Sequence, residues 1–397
     1  MLRKEAPVFR VDLPGSPVPV FLVTRRRELE FVTQHTELFT NQPPRGMWRW
    51  PELHEPEVAE AFAAAGHKPM NTLQASDPPQ SVMYRRLIDD ALSRRGVKGL
   101  EPRIEQVVRS LLDDIPSGTS VDFVEAFSVP LPLLIVCLLM NLPYEDAAYV
   151  RRYTDEFALL VDPVTPSERA AQAAAVLADG YRYLERHILA YRARPADNLL
   201  SAIANARFED DRPATMQECL SIAHVAVIAG NETTRNALSS TMYNLVRRPD
   251  LWRELKADPA LIPEFVEETL RTAAPANTTP RVALADVDLG GVTVPKGACL
   301  FMMWGSGSLD EEVFSNAAEF DLSRRNKRQH TTFGIGVHFC AGLHLARREL
   351  CIAVGQWLQE FDRVEFAVPE HEIHYEPSFA FHAFGHLPLR FTRAPKQ

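Results

Sequence analysis

Phe333-Gly334-Ile335-Gly336-Val337-His338-Phe339-Cys340-Ala341-Gly342 places one cysteine in a loop with three glycines, and a helix-forming run, Leu343–Leu350, follows at once. Glycine lets a backbone turn tightly and lie close against a flat neighbour. A cysteine just ahead of a helix N-terminus projects into an electropositive region that stabilises a thiolate. A thiolate held this way is a soft, strongly donating ligand for iron. Read from the residues alone, other uses stay open. Cys340 can be a buried structural thiol, a common fate of free cysteine. It can share a zinc site with His338 and His344, although no second Cys or His pair lies at finger-like spacing. A phosphate cradle is disfavoured because no Gly-Lys-Ser/Thr ending is present.

Composition sets the frame. The chain has 397 residues and a net charge of −9, which does not suggest a general affinity for nucleic acid. No Ser/Gly linker, low-complexity tract or fixed-period repeat divides it, so residues 1–397 read as one large domain. Cysteines 137, 219, 299, 340 and 351 are odd in number and scattered, which argues for a reducing compartment and a cytoplasmic protein. The N-terminus, Met1-Leu2-Arg3-Lys4-Glu5-Ala6-Pro7, has no apolar h-region. The longest apolar stretches, Leu131–Met140 and Ile222–Ala229, fall short of the ~20 residues that span a bilayer. A protein without a membrane segment is expected.

Helical signals dominate. Leu100, Ile104, Val107, Val108, Leu111 and Leu112 make a helical stripe, and Ser167–Tyr191 is rich in Ala and Arg. Strand signals are local. Val18–Val23 is β-rich, Val287–Val294 alternates around Gly290-Gly291 as a hairpin does, and the tail His382–Thr392 is again β-like. Residues Arg27–Thr36 turn helical, whereas Arg45–Leu73 mixes Met47, Trp48, Trp50, Phe62 and prolines without clean periodicity, as a loop-rich region with a little helix.

Thr215-Met216-Gln217-Glu218 reads as a capping box. The helix it opens should run to Arg247-Arg248-Pro249, where basic residues meet the C-terminal dipole and proline stops the ladder. Its middle is Ala229-Gly230-Asn231-Glu232-Thr233-Thr234. Gly230 lacks a side chain, so a neighbouring group can come close. Ala229 and Thr233, four apart, share a face. A threonine hydroxyl beside an acid is suited to passing protons. The plainer use is a helix with a weak interior and threonines bonding back to the preceding turn.

The pattern Phe-Gly-x-Gly-x-His-x-Cys-x-Gly resembles the haem-ligand loop of the cytochromes P-450, the haem-thiolate monooxygenases, with six specified residues in ten positions. Haem held by a cysteine thiolate is the established chemistry of that family, so the pairing of ligand and chemistry is taken from the resemblance. Ala229-Gly230-Asn231-Glu232-Thr233 resembles the family's oxygen-activation motif, which implies catalytic roles for Glu232 and Thr233 and haem contact at Ala229 and Gly230. Glu268-Thr269-Leu270-Arg271 is similar to the family's Glu-x-x-Arg pair, joined by an arginine in Phe320-Asp321-Leu322-Ser323-Arg324, where Leu322 replaces the usual proline. The resemblance implies that Cys340 ligates iron, that Phe333, Gly334 and Gly342 shape the haem loop, and that Arg281 and His338 hold haem propionates. After Asp77-Pro78-Pro79 the family has a His-x-x-x-Arg pair, and here it reads Ser81-x-x-x-Arg85, so the arginine is kept and the histidine is not.

The resemblance further implies a mainly α, single helical domain of the cytochrome P-450 type with small β-sheet patches, and haem b as cofactor. One oxygen atom of O2 would enter a hydrophobic small organic substrate, with electrons from a separate ferredoxin-type donor. Substrate contacts would fall at Ala229, Ala276, Asn277, Thr278 and Phe381, and in the Trp48–Leu73 region. Basic pairs at Arg85-Arg86, Arg94-Arg95, Arg324-Arg325, Lys327-Arg328 and Arg347-Arg348 would form a patch steering an acidic electron carrier. The competing functions are a peroxide-driven haem peroxygenase, a non-catalytic haem protein and a zinc-binding interaction module.

Overall fold

A 31-residue helix, Met216–Val246, runs through the protein, and the rest of the helical body packs around it. Thr215 and Glu218 cap it reciprocally, side chain to backbone in both directions, as the sequence predicts. It ends at Arg247, just before the next helix opens on Pro249. The computed structural model describes residues 2–13, 16–42, 56–161 and 165–395.

Helices Pro130–Met140, Ser167–Ala193 and Leu343–Glu360 pack directly on this central helix. Pro130–Met140 is apolar all round and almost wholly buried, so the Leu131–Met140 run is a core helix. Among the described residues no helix is long and apolar enough to cross a membrane. The predicted stripe lies on helix Arg94–Asp113, with Ile104, Val107, Val108 and Leu112 buried on a helix that packs against Pro130–Met140 and Leu343–Glu360.

The strands form small patches at the margin. A five-stranded sheet has the order Val8–Val11, Val20–Val23, Cys299–Met303, Thr278–Ala283, Phe39–Thr40. Its second and third strands are parallel, and the remaining pairs are antiparallel. It carries its own apolar cluster around Phe21, Leu29 and Leu300. Strands Ser120–Asp122, Pro388–Arg393 and Phe361–Phe366 make a second sheet. Val287–Leu289 and Val292–Val294 form the predicted hairpin, with φ of 60° and 79° at Gly290 and Gly291, as a two-residue primed turn requires.

Two strand boundaries differ from the sequence reading. Val18 and Pro19 stay outside the strand that starts at Val20, because Pro19 has no N–H to give a ladder and offers its carbonyl to Cys299 N instead. The tail is a strand only over Pro388–Arg393. Before it, Phe384 stacks on Tyr375 and isolated bridges replace a ladder.

Candidate active site around Cys340

The cysteine loop is built by its glycines. Gly334 and Gly336 have φ of 74° and 77°, in the left-handed region that side chains avoid. A Cβ on Gly336 would also meet the carbonyl oxygen of Thr33 at 3.1 Å. The loop folds back so that Cys340 N donates to Phe333 O at 2.9 Å, and helix Leu343–Glu360 begins three residues later. Burial pushes the Cys340 thiol up, while the backbone N–H groups of Gly342 and Leu343 and the charges of Arg85 and Arg347 act the other way. The helix-end effect expected from the sequence is therefore present but smaller than desolvation. A metal bound at this thiol would remove that proton.

Three buried or half-buried donors lie near the loop. Arg281, on the strand paired with Cys299–Met303, is buried, and desolvation lowers it to about 10. His338 is pushed down to about 4 by burial and by the charge of Arg281, and its Nε2 is buried with no partner. Ser81 Oγ is likewise buried and partnerless. The carboxylate acting on this group, Asp77, is already engaged by the Thr40 hydroxyl and by Asn41 N at 2.8 Å. Arg85 closes the loop from outside, donating to Phe339 O and pairing with Asp89 at 3.3 Å. An anionic group with two carboxylates suits this donor set. Beside the thiol, a Cβ on Gly342 would meet nothing nearer than Cys340 Sγ at 4.0 Å, so a flat group has room there. The residues present fit haem.

Behind the loop two carboxylates divide the cations. Glu268 binds Arg271 at 2.7 Å and Arg324 at 3.2 Å, all three side chains buried, and Arg271 and Arg324 tie down the carbonyls of Ser315, Asn316, Ala317 and Glu319. Leu322 in place of proline does not divert the segment, since Asp321 N also donates to Glu268 at 2.9 Å. Glu267, which sequence reasoning missed, accepts from Arg347 at 2.9 Å and lies 3.3 Å from His330 Nε2. Arg347 lies over the Phe333 ring at 4.6 Å, so Glu267 braces the loop through that ring. The sequence signal was Glu267 itself, a second acid beside the Glu-x-x-Arg pair with one arginine in helical reach for two carboxylates.

Ala229 is exposed midway along the central helix, although Ile228 and Gly230 beside it are partly buried. Thr233 Oγ1 donates to Ala229 O at 3.0 Å, the back-bond that a helical threonine makes by default. Burial raises the Glu232 carboxyl, against Arg235 at 3.2 Å and Asn236 at 3.3 Å. A raised carboxyl next to a hydroxyl suits proton relay. The remaining candidates cluster in part. Ala276 bridges to Phe381, Asn277 N donates to Ala380 O at 2.8 Å, and Thr278 Oγ1 is buried without a partner. Of the Trp48–Leu73 region, residues 48–55 lie outside the described residues.

The basic patch needs correction. Arg324 and Lys327 are buried, the latter on Glu264 at 2.8 Å. Arg328 shares Glu264, Arg348 pairs with Glu101, and Arg86 with Glu209. Arg86 and Arg328 are exposed but paired, and Arg94, Arg95 and Arg325 are exposed as well.

Residues 159–383 match the family model described as Cytochrome P450. The chain is 33% identical over 396 residues to the cytochrome P450 monooxygenase PikC of Streptomyces venezuelae, covering 99% of this chain and 90% of that one. It is 30% identical over 396 residues to 6-deoxyerythronolide B hydroxylase of Saccharopolyspora erythraea, covering 98% and 94%. The crystal structure of CYP108D1 from Novosphingobium aromaticivorans superposes with a TM-score of 0.87 at 28% identity, over 99% of this chain and 93% of that one. The chain belongs to the cytochrome P450 family. Its mainly α fold, its thiolate-bound haem b and its class, an oxygen-incorporating haem-thiolate monooxygenase, follow from that membership.

Proposed function

We propose that this monooxygenase inserts one oxygen atom into a C–H bond or a double bond of an apolar small molecule held beside Ala229, Ala276, Asn277, Thr278 and Phe381. We read residues 1–397 as one catalytic domain. When bound, haem supplies the centre that activates dioxygen; the protein supplies position, protons and exclusion of water. Cys340 would ligate the iron. Arg281, His338, Arg85 and Ser81 would hold the propionates. Phe333, Gly334 and Gly342 would shape the haem loop, and Ala229 and Gly230 would contact the haem.

Glu232 holds a proton more readily than an exposed glutamate, and Thr233 is one residue away with lone pairs free to orient a water. Together they would hold and pass protons at the Glu232 carboxyl and the Thr233 oxygen. The presence of both favours dioxygen with electron delivery over the peroxide-driven alternative. The electron source is a separate acidic, ferredoxin-type carrier, steered to the cysteine-loop side by Arg94, Arg95 and Arg325. Five free cysteines suit a reducing cytoplasm.

The observation that carries this reading is His338 Nε2, buried without a partner in the Cys340 loop and within reach of the charge of the buried Arg281. The test is a compound-library titration followed by the haem absorption band, with 6-deoxyerythronolide B among the compounds because a relative is named for hydroxylating it. Apolar compounds should shift the spin state and be oxidised with reduced ferredoxin. Turnover with peroxide and none with ferredoxin would reverse the assignment.

A further inference from the structure

We infer that Asn231 and Thr154 form a clasp that positions the oxygen-handling turn, making Asn231 a positioning residue rather than a spacer between Gly230 and Glu232. The inference rests on the reading above, that Glu232 and Thr233 manage protons.

The turn is weak by composition. Gly230 weakens a helix interior relative to alanine. The Thr233 hydroxyl competes for the Ala229 carbonyl at 3.0 Å, which loosens the local ladder. Ala229 and Thr233 point to one side, and Asn231, two residues from each, lies about 200° around the helix. Support for the turn must then come from the opposite face.

That support is helix Ala147–Val161, through three consecutive residues. Tyr153 OH bonds to His224 Nδ1, and both groups are buried. The contact depends on Gly180 of the neighbouring helix, where a Cβ would lie 2.1 Å from the Tyr153 ring. Asn231 Nδ2 donates to Thr154 Oγ1 at 2.9 Å, also buried. Asp155 interacts electrostatically with Arg235, the ion-pair partner of Glu232. His224, Asn231 and Arg235 are spaced seven and four apart, one face of the central helix. The contacts therefore bracket the turn on both sides.

The direction of the central bond is fixed. Thr154 uses its own proton on Arg151 O at 2.9 Å, so its oxygen must accept and Asn231 must present its amide NH2. Asn231 Oδ1 is buried without a partner. One hydrogen bond thus holds the asparagine in a buried setting, and losing it leaves the whole amide unsatisfied.

The experiment uses the haem-loaded enzyme and needs neither substrate nor donor. Chemically reduced protein is mixed with air-saturated buffer, and the return of the ferric haem band is timed. Hydrogen exchange over 229–234 is measured in parallel. Thr154→Val should speed both by about three- to tenfold, the worth of one hydrogen bond, with haem content unchanged and exchange at 238–246 unaltered. Thr154→Ser keeps the acceptor and should match the parent. Asn231→Ala should speed both equally, and the double variant with Thr154→Val should add nothing further. Parent-like reoxidation in Thr154→Val overturns the clasp, as do additive effects in the double variant. Should valine at 154 fail to fold, the Asn231→Ala and Thr154→Ser pair decides by the same criteria. Thr233→Ala runs alongside: if it alone changes reoxidation the clasp falls, and if it changes nothing the proton reading falls.

Discussion

Arg271 Nη2 lies 2.7 Å from Glu268 Oε1, and neither side chain is open to solvent. The pair is wired to the chain ahead of the cysteine loop through Arg324 and four backbone carbonyls. Removing one partner strands a buried charge, at a cost of about 3–5 kcal/mol. Glu268→Gln should therefore express poorly and take up little haem, measured as the haem-to-protein absorbance ratio. Full haem incorporation in that variant would show that the triad does not hold the loop.

Among the described residues Arg281 is a buried cation with no dedicated carboxylate, since Asp77 is committed to Thr40 and Asn41. Arg281→Leu should release haem to apomyoglobin at least about tenfold faster, the loss expected of one charge-assisted hydrogen bond. The fold should persist, because the change replaces a desolvated cation by an apolar group. An unchanged release rate would place the propionates elsewhere.

Thr233 donates to Ala229 O, so the hydroxyl proton is occupied and only its lone pairs are free. Thr233→Ala removes those lone pairs at little cost to the helix. Haem content and substrate-induced spectral shift should be kept, while product per electron pair falls by about tenfold or more and peroxide accumulates. Tight coupling in this variant would remove Thr233 from proton handling.

Glu218 caps the central helix and is lowered to about 2, chiefly by Arg212 and also by Thr215. A carboxyl with a depressed folded pKa stabilises above its unfolded value and loses that contribution as pH falls through the folded one. Arg212 is exposed, so solvent screening keeps the contribution small. Glu218→Gln should melt below the parent at pH 7, and the difference should close between pH 4.5 and about 2. A gap that stays constant over that range would rule out the ion pair as its source.

The fold was legible where local chemistry marks it. The capping box at Thr215 and Pro249 bound the central helix correctly, and Gly290-Gly291 located the hairpin, because caps and primed turns depend on neighbours in sequence. The five-stranded sheet was not legible beyond Val20–Val23, since Cys299–Met303 pairs with residues about 280 positions away. The same division holds at the site. Cys340, Arg281 and His338 were proposed through a resemblance of local motifs. Glu267 and Asn231 were not assigned, because their partners, Arg347 and Thr154, come from distant helices. The basic pairs misled for a related reason: charge is visible in a sequence, but burial of Arg324 and Lys327 is not.

The central claim is that Cys340 is the ligand to haem iron, and the carbon monoxide difference spectrum of Cys340→Ser tests it most directly. The parent, reduced and exposed to carbon monoxide, should show the red-shifted band of a thiolate-bound haem. The variant should lose it, either by failing to retain haem or by binding it through a weaker ligand. An unaltered band in purified Cys340→Ser protein would contradict the account.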